Sequence, residues 1–219
     1  MDYKYDLVCI GSGPAGQRAA VQASKLGKKV ALIEKSNYVG GICLHTGTIP
    51  SKTFREAVLL QSSKSRAKDI DRFSGKSLEL LYQDVQKIIE NEVDVNNDQL
   101  LRNNVQVLHG EAVFLNPKEI LVKSENESIK LQSDYFLISV GANAIKPNGL
   151  SINKKNVITS DEIFHLKIIP KSLSIIGCGV IGIEYASMFA KLGVEVTIID
   201  GRSRPLEFLD SEILDELIK

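Results

Sequence analysis

DLVCIGSGPAGQRAAVQASKLGKKVALIE, Asp6–Glu34, has a counterpart in SLSIIGCGVIGIEYASMFAKLGVEVTIID, Ser172–Asp200. Each opens on an apolar run, LVCI or LSII, turns through G-x-G-x-x-G, and continues as a helix closed by K-L-G. Each then ends on a second apolar run and an acid. The first glycine and the acid are equally far apart in both copies, Gly11 to Glu34 and Gly177 to Asp200. One such glycine pattern is weak evidence, but two with matching flanks predict two dinucleotide-binding βαβ units.

The chemistry expected of each copy follows from its parts. Apolar runs of this length suit parallel strands buried on both faces. Gly11 and Gly177 allow the tight turn out of the strand. Gly13 and Gly179 let the backbone approach a pyrophosphate, and Gly16 and Gly182 let the helix pack on the sheet. The first helical turns, Pro14–Ala15 and Val180–Ile181, present the positive helix end to phosphate. Glu34 and Asp200 are placed to accept hydrogen bonds from ribose hydroxyls. Two glycine turns in an α/β sheet with no ligand are the bland alternative.

A chain of 219 residues accommodates one large or two small domains, and its 43% hydrophobic content is ordinary for a soluble protein. Zero formal net charge gives no overall attraction to nucleic acid or an anionic membrane. No apolar run approaches the ~20 residues that span a bilayer. MDYKYDLV leads almost directly into the first strand, so no signal peptide is expected and a cytoplasmic location is. Cys9, Cys43 and Cys178 are too few and scattered for a disulfide framework or a zinc site, so no metal is expected.

Between the units, Lys35–Lys52 reads as an irregular glycine-containing loop. A helix is expected from Pro50 with Phe54, Val58 and Leu59 on one face. A polar interval, Ser65–Ser77, separates it from a second helix bearing Leu78, Leu81, Val85, Ile88 and Ile89. Short strands joined by NP, SENES and QSD turns follow through Gly141 and return the chain to the sheet. GANAIKPNGLSINKKN, Gly141–Asn156, reads as a linker. The fold class is α/β: two Rossmann-like units, with a helical hairpin and a β-meander inserted in the first. The domains expected are residues 1–148 and 149–219, the second incomplete because one βαβ and a helical stub leave its sheet short of strands.

The loop GGICLHTGTIPSK, Gly40–Lys52, together with the two units, resembles the two-dinucleotide flavoproteins of the lipoamide dehydrogenase and glutathione reductase family. Disulfide-reducing members carry G-G-x-C-x-x-x-x-C-I-P-S-K. Here Cys43 stands at the first cysteine position and Thr48 at the second. A hydroxyl cannot serve in thiol–disulfide exchange. The loop, with R-x-R at Arg202–Arg204 and FLD at Phe208–Asp210, is similar to the branch of soluble pyridine nucleotide transhydrogenases. That resemblance implies FAD at the first unit, NAD and NADP as substrates at the second, and hydride passing from NADPH through the flavin to NAD. It also implies a homodimer for family members of full length, whose dimerisation domain has no counterpart in these residues. The chain is accordingly expected to be an N-terminal portion.

The resemblance extends to particular residues. Lys52 and Glu184 match an ion pair beside flavin N5, where a lysine about 4 Å from an anionic ring gains ~4 kcal/mol at an effective dielectric near 20. FAD contacts are implied at Gly11, Gly13, Pro14, Ala15, Gly16, Glu34, Lys35, Gly41, Ile42, Cys43 and Lys52, and at Ala112, Val113 and Gly141. Nicotinamide-nucleotide contacts are implied at Gly177, Gly179, Val180, Ile181, Gly182, Glu184, Asp200, Arg202 and Arg204. Asp200 suits the free 2′-hydroxyl of NAD, while Arg202 and Arg204 could pair with a 2′-phosphate, so both nucleotides are expected, NAD at least as well as NADP. Alternatively both arginines face solvent. His45 reads as a polar loop residue. A lipoamide-dehydrogenase-like disulfide oxidoreductase and a non-catalytic nucleotide-binding fragment remain the other readings.

Overall fold

The computed structural model describes residues 3–64, 75–145 and 149–218. Most of the expected polar interval (65–74) and part of the linker (146–148) lie outside the described residues. The chain forms two compact units, Met1–Ser51 with Gln86–Ser151, and Lys52–Val85 with Ile152–Lys219.

The first unit is built on a six-stranded sheet of β1 (Tyr3–Ile10), β2 (Val30–Glu34), β3 (Gln106–His109), β4 (Glu111–Asn116), β5 (Glu119–Lys123) and β6 (Ser128–Ile138). Their order is β3-β2-β1-β6-β5-β4. β1 pairs in parallel with both β2 and β6, at Val8↔Ala31 and Val8↔Phe136. Every residue of β2 is buried, as a continuous apolar run in a parallel sheet requires. One face packs Tyr5, Val8, Ala31 and Ile33 against Ile120, Val122 and Leu131 of the meander. The other packs Cys9, Val30 and Leu32 under Ala20 and Val21 of α1 (Pro14–Lys25) and Leu100 near the end of α4 (Gly75–Arg102). Gln17 is buried in α1 and donates through Nε2 to Asn96 Oδ1 of α4 at 2.7 Å.

The loop expected at Lys35–Lys52 is largely helical instead: α2 covers Gly41–His45 and α3 covers Thr48–Lys64. Gly40 and Gly41, at φ +118° and +62°, make the abrupt entry that reads as loop in sequence, and five residues are too short to show a helical period.

The second unit contains β7 (Ser172–Ile176), α5 (Val180–Lys191), β8 (Glu195–Ile199) and α6 (Ser211–Ile218). β7 and β8 pair in parallel, with Ser174 opposite Thr197. Two-sided burial was expected here, but Ile176, Ile198 and Ile199 are exposed, because this sheet has only two strands among the described residues. A division at 148/149 differs from the compact units in one main respect: Lys52–Val85 groups with the later segment. The cause is aromatic packing. Phe54 of α3 lies within ring contact of Tyr82 of α4, Phe164 and Phe189, and Phe164 also meets Tyr185. Phe54, Val58, Leu78, Leu81 and Val85 are buried as their helical spacing predicts, whereas Leu59 and Ile88 are exposed. No helix among the described residues is long and apolar enough to cross a membrane.

Candidate functional site: two phosphate cradles

A cavity of about 740 Å³ opens at the C-terminal ends of β1 and β2, within the roughly 300–1,000 Å³ usual for small-molecule sites. Its walls are the turn Gly11–Ala15, the β2 end at Glu34–Lys35, the α2 residues Gly41, Ile42, Cys43 and His45, Ala112 on β4, and Ser139–Asn143 beyond β6. Of the residues expected at the first cofactor, Gly16, Lys52 and Val113 do not line it. Gly16 is a packing position, since a Cβ there would strike the Gly11 carbonyl and the Ser139 hydroxyl. Val113 follows Ala112 on a strand, so the two side chains point to opposite faces.

Gly13 and Gly179 cap α1 and α5 in equivalent extended conformations, at φ −63° and −86°. A Cβ built on either meets no protein atom within 4 Å. Neither glycine is needed by the fold itself, and each leaves its backbone open to an incoming group at a positive helix end. Gly11 differs: at φ +100°, a Cβ would run into the Ser139 carbonyl.

Glu34 is the acid of the first cradle, and its carboxylate accepts four hydrogen bonds. Oε2 takes Ser12 N–H at 3.1 Å and the Ser12 hydroxyl at 2.5 Å. Oε1 takes Ser36 N–H at 2.8 Å and the Ser36 hydroxyl at 2.9 Å. Burial pushes this carboxyl up, but the bonds from Ser12 and Ser36 outweigh burial and hold it below the usual glutamate value. Ser12 is itself buried and accepts Gly40 N–H at 3.0 Å, which ties the turn after β1 to the entry of α2. Ser12 and Ser36 carry no motif of their own, and the second copy has Cys178 and Arg202 in their places.

Asp200 is the acid of the second cradle and is equally saturated. Oδ2 takes Cys178 N–H at 2.5 Å and Arg202 Nη2 at 2.7 Å, and Oδ1 takes Arg202 N–H at 2.8 Å and Arg202 Nε at 2.9 Å. The Arg202 side chain, then the Cys178 and Arg202 N–H groups, hold this carboxyl well below the usual aspartate range. Arg204 pairs with Asp215 of α6. Neither arginine is left simply facing solvent.

Lys52 on α3 and Glu184 on α5 form an ion pair inside the second unit, with the lysine side chain 57% and the glutamate 20% exposed. Cys43 is free and half-buried, and the other thiols, Cys9 and Cys178, are free as well. Burial alone raises the Cys9 thiol to about 11, so it is a packing residue. His45 contacts the Val39 carbonyl through Nε2 at 2.9 Å.

Two βαβ openings, each with an unobstructed glycine at the start of its helix and an acid at the end of its second strand, define an α/β protein with two Rossmann-like units. Residues 5–219 match the family described as pyridine nucleotide-disulphide oxidoreductase, and the chain belongs to that family. It is 43% identical over 225 residues to the soluble pyridine nucleotide transhydrogenase of Mycobacterium bovis, covering 98% of this chain and 47% of that protein. It is 39% identical to the enzyme of the same name in Hahella chejuensis, again covering 47% of it. Among solved structures, the HOCl-induced flavoprotein disulfide reductase RclA of Escherichia coli superposes with a TM-score of 0.84 at 31% identity, covering 98% of this chain and 46% of that one. The chain thus spans about half the length of the curated relatives it matches.

Proposed function

We propose that these residues form the cofactor-binding portion of a soluble pyridine nucleotide transhydrogenase, an oxidoreductase moving hydride between NADPH and NAD. FAD would occupy the first cradle, and NAD or NADP the second. The observation that carries this reading is Cys43 on the cavity wall with Thr48 at the partner position of its loop and no other cysteine lining the cavity. Transfer between two nicotinamides needs no dithiol. Three free thiols also agree with a cytoplasmic setting.

The residues fit the cofactor. Gly13 leaves room for a diphosphate at the start of α1, Glu34 can exchange serine hydroxyls for ribose hydroxyls, and Gly41–Cys43 with Gly141 close the cavity. FAD, when bound, supplies the two-electron carrier chemistry. The chain's own part is to hold the phosphates at helix N-termini and to orient the riboses through Glu34 and Asp200.

The test is spectroscopic. The purified chain supplied with FAD is expected to retain visible flavin absorbance that NADPH bleaches and NAD restores. A colourless chain that takes up no FAD would sink the proposal. Disulfide reduction is the second reading, favoured by the name of the solved relative. A Cys43→Ser variant decides between them: NADPH-to-NAD transfer is expected to survive it, whereas disulfide reduction could not.

A further inference from the structure

Glu34 is held by two serines that are themselves bound in different ways. Ser12 is buried; its hydroxyl donates to Glu34 Oε2 at 2.5 Å and accepts the Gly40 N–H at 3.0 Å. Ser36 is exposed. Its Oγ lies 2.9 Å from Glu34 Oε1 and 2.7 Å from the Tyr38 carbonyl, two acceptors for the single proton that a hydroxyl carries. The N–H groups of Ser12 and Ser36 fill the other two acceptor directions of the carboxylate. All three side chains belong to the cavity wall.

A ribose hydroxyl that bonds Glu34 needs an acceptor direction, and all four are taken. The two backbone N–H groups cannot turn away unless the chain itself moves. The Ser12 hydroxyl has Glu34 as its one acceptor among the described residues, so releasing it would leave a buried donor unpaired. Ser36 is not bound in that way. Its proton can turn wholly to the Tyr38 carbonyl, already the nearer of its two acceptors, and Oε1 is then free.

We infer that Ser36 is a placeholder at the ribose site: its hydroxyl satisfies Glu34 Oε1 while the cradle is empty and yields that oxygen to an incoming ribose. Ser12 is a positioning residue that holds the same carboxylate in both states. The inference rests on Glu34 being the ribose-binding acid of an FAD cradle. Two hydroxyls on one carboxylate then act on affinity with opposite sign. Hydroxyls that merely supported the acid would act alike.

The experiment compares Ser36→Ala, Ser36→Thr and Ser12→Ala in the full 219-residue chain. FAD is titrated by flavin fluorescence and ADP, which carries the adenosine ribose without the flavin, by calorimetry. Circular dichroism checks each fold. Ser36→Ala is expected to bind both ligands roughly two- to tenfold more tightly than the parent, the worth of one neutral hydrogen bond no longer displaced. Ser36→Thr keeps the hydroxyl and should match the parent, while Ser12→Ala should bind both about tenfold more weakly. Ser36 is exposed, so its variants should fold and decide the matter even if Ser12→Ala does not. Unchanged or weaker binding by Ser36→Ala overturns the placeholder role, as does tighter binding of FAD with ADP unaffected. If the parent binds neither FAD nor ADP, the cofactor reading of the first cradle fails, and the inference with it.

Discussion

Lys52 and Glu184, 132 residues apart in sequence, are joined by an ion pair between α3 and α5. The lysine end of the pair is open to solvent, and pairs screened in that way contribute about 0–1 kcal/mol to stability. A Lys52→Met variant should therefore melt close to the parent. If the lysine charge serves the reacting ring, NADPH-driven flavin bleaching should slow by roughly 10²-fold, the usual cost of one electrostatic stabiliser. Stopped-flow absorbance alongside thermal melts separates the two effects.

Gly11 and Gly13 should respond differently to alanine. At Gly11 the positive φ and the Ser139 carbonyl make Gly11→Ala costly, by more than about 1 kcal/mol of fold stability. At Gly13 the backbone is extended and the space empty, so Gly13→Ala should leave urea unfolding unchanged and reduce FAD affinity sharply. Equal FAD affinity in Gly13→Ala and parent would remove this turn from the binding site.

The carboxyl of Glu34 is depressed in the folded chain, so its contribution to stability is complete above the ordinary glutamate value of about 4.3 and is lost as pH falls through the folded value. Ser12→Ala removes one of the buried donors. It should cost about 1–3 kcal/mol near neutrality and flatten the acid limb of the stability curve. Urea melts between about pH 3 and 7 measure both. An acid limb as steep as the parent's would show that other groups set it.

Phe54 is fully buried at the centre of the aromatic cluster of the second unit. Phe54→Ala should cost about 3–5 kcal/mol, as for other large-to-small core changes. Because the cluster draws Tyr82 and Phe189 to one side chain, amide exchange should rise in α5 and in the first turns of α4 together. Exchange confined to α3 would contradict that coupling.

The two βαβ openings were legible because a glycine turn, a helix of fixed length and a terminal acid recur at one spacing, and each part has a separate physical cause. The meander was legible from alternating short runs between turn residues, and the buried stripe Leu78–Leu81–Val85 from its helical period. What escaped was set by tertiary partners. The helix at Gly41–His45 was hidden by its own entry glycines. Ser12 and Ser36 look like ordinary turn residues until Glu34 is placed between them. The fork from Arg202 to Asp200 could not be read from spacing alone, since two residues of separation permit either contact or divergence.

β6 has different neighbours along its length. Leu131 and Gln132 pair on one side with Ile120 and Glu119 of an antiparallel hairpin, and on the other with Tyr3 and Lys4 of parallel β1. Seven residues beyond Gln132, Ser139 anchors to the Ile10 carbonyl and Gly141 forms part of the cavity wall. The hairpin therefore works as a ruler for the far end of the strand. A single-residue insertion just before Leu131 would either be absorbed as a bulge at the hairpin or slide the strand along β1, turning Ser139 outward and spoiling the cofactor rim from a distance.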